Sequence, residues 1–224
     1  MTGECANTHP VGLRTTRVKK ARSHWTIVRS AIDVKTWMAR TPAVEEVRPG
    51  QCPRCETASR PVGRRLGLWG HGLRDRQQRG PLEPRGQPVE VVIRARRFLC
   101  RPCGAVLLVV PSGVMAGRLF SAAAIGVALL LFGVDGLSMA ATRTRVSPWH
   151  RVGATAAVSW LSLRRWARAA RAGRLWACVR PSPARFTARQ VAARAARTLA
   201  ALAPLALAED RIEAQVFAGA VRAR

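Results

Sequence analysis

The stretches CPRCETASRP (residues 52–61) and CRPCG (residues 100–104) decide how this chain is read. Each holds two cysteines separated by two residues, and 44 residues lie between the pairs. Two thiolates at that spacing can grip one metal ion from a single tight turn. A second such turn completes a tetrahedral four-sulfur site, the donor set that suits Zn2+. Other uses of the thiols fit less well. A redox CxxC needs a βαβ setting, and none follows either pair. A catalytic zinc keeps an open position, usually with His and water; His71 lies between the pairs, but four thiolates already close the shell. Disulfides belong to oxidising compartments, and the opening segment MTGECANTHPVGLRTTRVKKARSHW has no apolar run of the secretory kind. Cys52, Cys55, Cys100 and Cys103 are therefore expected to hold a structural Zn2+, with Cys5 and Cys178 as isolated thiols and His9, His24 and His150 outside any ligand spacing. Gly104 suits the positive φ often needed after the second ligand of a pair. Glu56 stands at the matching place in the first pair, a departure.

Between the pairs the chain reads as a hairpin. RRLGLWGHGLRDRQQRG predicts a strand with a glycine-rich kink, and RGQPVEVVIRARRFLC predicts a second strand with Val91 and Ile93 alternating against Arg94 and Arg96. GPLEPRGQP (80–88) supplies the turn, and GAVLLVVP after Cys103 predicts a third strand. A hairpin of this kind brings two cysteine turns together, as in a zinc ribbon. Upstream, residues 24–41 hold a possible strand and short helix of unassigned role.

Charge sets the partner class. Lys and Arg total 38 against 12 Asp and Glu, a net charge of +26. Such an excess points to a polyanion, most often nucleic acid and sometimes an anionic membrane surface. Only Lys19, Lys20 and Lys35 are lysines; arginine suits bidentate contacts to phosphate and guanine. A GC-rich genome also favours arginine and alanine, but it does not explain the missing acids. Between Glu90 and Glu209 the only one is Asp135.

Leu119–Val134 holds 16 uncharged residues, short of the roughly 20 that a spanning helix needs, and Asp135 follows at once. A buried core helix, with Ser121 as its N-cap, is the expectation. Ser138–Val146 predicts a second helix and Trp160–Gly173 a third, with Gly173 as its stop. In that third helix Arg164, Arg168 and Arg171 share one face, while Trp160, Leu163, Trp166, Ala167 and Ala170 form the apolar side. Three helices ending in an arginine-faced one suggest a helix-turn-helix domain whose last helix enters the major groove of DNA. The connection over 147–158 is longer than the usual turn. Either it is an insertion, or Ser138–Val146 is itself the reading helix.

Taken together, CPRC, GLWGHGLRDRQQRG, PVEVVIRARRFLCRPCG, GLSMAATRTRVS and SLRRWARAA resemble the N-terminal zinc-ribbon and helix-turn-helix region of bacterial insertion-sequence transposases, and equally a group of uncharacterised mobile-element-associated bacterial proteins with those modules. The resemblance covers about residues 50–173 and implies binding to the element's terminal repeats. It implies Cys52, Cys55, Cys100 and Cys103 as zinc ligands and Arg164, Arg165 and Arg168 on the reading helix. Such transposases continue into a domain with three metal-binding carboxylates. Here only Glu209, Asp210 and Glu213 follow residue 173, bunched together, so no strand-transfer chemistry is expected in this chain.

The expected fold is α+β: a small β zinc ribbon (51–112), a helix-turn-helix-like domain (118–173) and a helical tail (181–224), after a basic segment (1–50). The expected function is zinc-dependent binding of double-stranded DNA, as a regulator or accessory to a separate transposase subunit, in the cytoplasm at the nucleoid, with a homodimer possible and no small-molecule substrate. The residues expected to touch DNA are Arg94, Arg96, Arg97, Arg143, Arg145, Arg164, Arg165, Arg168 and Arg171. The alternatives are a membrane-associated protein anchored through residues 104–142, a recombinase with an unrecognised active site, and an RNA binder stacking bases on Trp69 and Phe98.

Overall fold

Alternating apolar and basic residues between the cysteine pairs fold as extended backbone, and the Ala- and Leu-rich remainder folds as helix. The structure, a computed structural model, describes residues 25–149 and 159–223. Cys5, His9, His24, Lys19, Lys20, His150 and most of the 147–158 connection lie outside the described residues.

Strands β1 (Thr26–Arg29), β2 (Leu68–Pro81), β3 (Pro88–Cys100) and β4 (Val106–Val110) form one sheet in the order β1-β4-β3-β2. The long hairpin β2–β3 is antiparallel, with Leu68 opposite Cys100 and Pro81 opposite Pro88. Its register shifts between Gly70 and Leu73, where Gly72 takes φ 81°, so the glycine-rich kink is a β-bulge. β4 pairs antiparallel with β3 and parallel with β1. A short helix α1 (Val34–Ala39), capped by Asp33, drops Trp37 into the sheet's core. There the indole Nε1 donates to the Arg94 carbonyl at 3.1 Å. The strand and helix foreseen near residues 24–41 thus belong to the same sheet assembly as the hairpin.

Apart from α1, the α-helices follow the strands, an α+β arrangement. Helix α2 (Ala122–Gly133) starts at Ser121, whose hydroxyl accepts from the Ala124 N–H at 3.0 Å. All its residues except Gly133 are buried. A helix apolar on every side belongs at the centre of a bundle, and α2 is covered by α3 (Met139–Val146), α4 (Leu161–Arg171), α5 (Ala188–Ala200) and α6 (Ile212–Arg222). Alanine and glycine let these axes approach closely: a methyl group on Gly219 would overlap the Leu199 carbonyl, and one on Gly133 the Ala193 backbone. Phe120, Trp160 and Trp166 close one end with edge-to-face contacts at 4.9–5.8 Å.

Backbone pairing joins sheet to bundle. Arg79 N–H donates to the Leu119 carbonyl at 2.8 Å, and Ser121 N–H donates to the Arg79 carbonyl at 3.1 Å. The segment leading into α2 therefore extends the outer edge of β2. Residues 104–142, the stretch of the membrane alternative, hold β4, α2 and the start of α3. No helix among the described residues is long and apolar enough to cross a membrane.

Candidate functional site

The four cysteines sit on two turns of the same construction. In the first, Glu56 N–H donates to the Cys52 carbonyl at 2.8 Å and Cys52 N–H to the Thr57 carbonyl at 2.9 Å. In the second, Gly104 N–H donates to the Cys100 carbonyl at 2.9 Å and Cys100 N–H to the Ala105 carbonyl at 2.9 Å. Each turn needs a left-handed residue after its second cysteine. Gly104 supplies it at φ 68°, and Glu56 adopts it at φ 58°. The departure seen in the sequence is thus tolerated at the cost of an unfavourable conformation for a residue with a Cβ.

The hairpin lays one turn against the other. Cys52 Sγ lies 3.8 Å from Cys103 Sγ, and Cys55 Sγ lies 3.6 Å from Cys100 Sγ. All four sulfurs fall within 4.8 Å of one another. A tetrahedral metal with metal–sulfur bonds of about 2.3 Å holds its sulfurs about 3.8 Å apart, whereas a disulfide would bring two of them to about 2.05 Å. The set therefore fits a bound metal ion, and it is the one such cluster of His, Cys, Asp and Glu found among the described residues. Cys52 and Cys100 are buried and Cys55 is exposed. Thr57 hydrogen-bonds to Cys55 and pulls that thiol down to about 6, while burial pushes Cys100 up to about 12 and raises Cys103. A metal ion bound there would replace the protons of all four.

The arginines singled out from the sequence fall into two groups. Some are engaged by the protein itself. Arg96 Nε donates to the Pro42 carbonyl at 2.7 Å. Arg97 lies 5.2 Å from the centre of the Trp25 ring. Arg171 donates to the Ala184 carbonyl at 3.1 Å and to the Phe186 carbonyl. Arg94, Arg145, Arg164, Arg165 and Arg168 are exposed, and Arg143 is half-buried. Arg145 lies 3.8 Å from Glu213. Phe98 is wholly buried, so the RNA alternative loses one of its two stacking rings.

Two of these arginines meet a third that sequence reasoning missed. Arg143 of α3, Arg165 of α4 and Arg79 of β2 line a cleft of about 360 Å3, together with Ser147, Ser159, Ser162 and Trp149. No acidic side chain is among its described lining residues. Arg79 shows in the sequence only as one more basic residue on a strand. Its place beside α3 and α4 comes from the pairing of β2 with the segment before α2, which no local pattern announces. Compared with family models, curated proteins and solved structures, the chain matches none.

Proposed function

We propose that this chain is a zinc-stapled protein that binds double-stranded DNA through the arginines of α3 and α4, in the manner expected of the N-terminal region of an insertion-sequence transposase. In this reading the four thiolates hold Zn2+, whose preference for tetrahedral sulfur matches the spacing of the cluster. The metal keeps the hairpin folded and takes no part in chemistry. The chain marks element ends or regulates, and any strand transfer belongs to a separate subunit.

The observation that carries the reading is the convergence of Arg79, Arg143 and Arg165 on one cleft with no acid among its described lining residues. Arg79 is paired with Glu90 at 2.9 Å, and Arg143 and Arg165 bring two further guanidinium groups to the same lining, the fork geometry that grips phosphate oxygens. Arg164 and Arg168, exposed on the same helix as Arg165, provide further cations for the flanking backbone.

Binding of a labelled duplex by the zinc-loaded chain, measured across a salt series, tests this. The expected result is a steep fall of affinity with salt, with a slope that shrinks by about two when Arg143→Ala and Arg165→Ala are combined. An unchanged slope in the double variant would remove these arginines from the interface. Selection from a random duplex library then separates sequence preference from a plain grip on phosphate.

A further inference from the structure

The cleft contains an exposed indole as well as its arginines. Trp149 is 54% exposed, yet its ring is held. Its Nε1 donates to Glu90 Oε2 at 2.8 Å. The Arg79 guanidinium lies over the ring, 4.9 Å from its centre. The same Glu90 oxygen accepts from Arg79 Nε at 2.9 Å, so one carboxylate positions both members of the stack. Arg143 Nη2 donates to the Trp149 carbonyl at 3.2 Å, which ties the backbone of this residue to α3.

An aromatic ring fixed before its ligand arrives loses little freedom on binding. Arginines alone suffice for the phosphates of an intact duplex. A stacking platform beside them does not serve a duplex, because its bases are already stacked on one another and present no free face. What matches cations and an indole together is a phosphate with an unstacked base attached. A volume of about 360 Å3 also falls within the roughly 300–1,000 Å3 of small-ligand sites. The hydroxyls of Ser147, Ser159 and Ser162 on its wall can donate to or accept from a sugar or a base edge.

We infer that this cleft seats one unpaired nucleotide of a DNA strand, its phosphate against Arg143 and Arg165 and its base on Trp149. The inference rests on the DNA-binding reading above and sharpens it: the preferred ligand is a duplex carrying an unpaired nucleotide at an end or within a distortion.

Fluorescence anisotropy with the full zinc-loaded chain and three versions of one duplex tests it: blunt, with a short single-stranded overhang, and with the same overhang made abasic. The overhang is expected to bind about ten-fold more tightly than the blunt end, the order set by stacking one base on an aromatic side chain. The abasic overhang should lose that gain, and Trp149→Ala should bring the overhang duplex down to the blunt level. Trp69→Ala serves as the control: that indole is also exposed but sits ten residues from Arg79 along β2, roughly 30 Å, and its loss should keep the preference. Equal binding of blunt and overhang duplexes overturns the inference and leaves DNA binding standing. So does a gain that survives the abasic overhang or Trp149→Ala. Failure of all three probes to bind overturns both.

Discussion

The sheet and the helical bundle build their cores from different material. The bundle packs Ile125, Leu129, Leu130, Leu163, Trp166, Trp176 and Leu199 around a buried α2, with alanines between them. The sheet's core is roughly half as large and includes two of the clustered cysteines, Cys52 and Cys100, among its buried members. The hairpin that ends at Cys100 is long and largely exposed along β2. A small core of this kind gains from a metal staple, whereas the bundle closes on side-chain packing alone. The lesson is that the cysteines belong to the folding of one half of the molecule. The arginines that converge on the cleft come chiefly from the other half.

The largest expected effect follows from removing the staple. Binding of a structural metal contributes on the order of 10 kcal/mol in small zinc domains. Chelation, or Cys100→Ser, should therefore abolish the thermal transition of the sheet and leave that of the bundle. A single transition that moves as one unit would break the distinction between the halves. Next in size is Leu129→Ala, at the centre of α2. It should cost about 2–5 kcal/mol in urea denaturation followed by helix circular dichroism, with bound metal unchanged. Loss of metal in that variant would show the halves to be coupled.

A smaller effect separates the two cysteine turns. Glu56→Gly relieves a left-handed non-glycine residue and should stabilise the metal-bound sheet by about 1 kcal/mol. Gly104→Ala should destabilise it by a similar amount. Equal and negligible effects at both positions would show that the metal, and not the turn conformation, sets the stability of the site.

The smallest effect is on acid stability. Arg48 and Arg60 hold the Glu45 carboxyl down to about 2, and Arg40 holds Glu46 down to about 2. Lys35 lowers Glu83, Thr36 lowers Asp33, and Trp149 with Arg79 lowers Glu90. All five lie in the sheet half. A carboxylate lowered by folding adds stability that is present above its unfolded value and is lost as pH falls through its folded one. For Glu45 and Glu46 that window runs from 4.5 down to about 2. These groups are exposed, so each contribution is small. Loosening of the metal-bound protein in acid should begin around residues 45–48, as followed by carboxylate NMR titration. Titration of Glu45 at an ordinary carboxylate value would remove this asymmetry.

Much of this arrangement is written in local patterns. The cysteine spacing, the alternation of Val91 and Ile93 with arginines, the turn residues of 80–88 and the cap Ser121 are each set by neighbours in the chain, and the structure places them as expected. What the pattern leaves open is non-local. The parallel pairing of β1 with β4 joins distant segments and has no short signature. Arg96 and Arg171 look free in the sequence, yet each finds a backbone carbonyl brought near only by folding. The cleft is the clearest case, because Arg79, Arg143 and Arg165 come from three elements and only one of them lies on the helix that first drew notice.

Amide hydrogen exchange on the zinc-loaded chain, before and after chelation, tests the division of labour most directly. The account predicts that chelation strips protection from residues 68–110 while residues 122–133 and 188–200 keep theirs. Protection that survives in the hairpin, or that vanishes from sheet and bundle together, would contradict it.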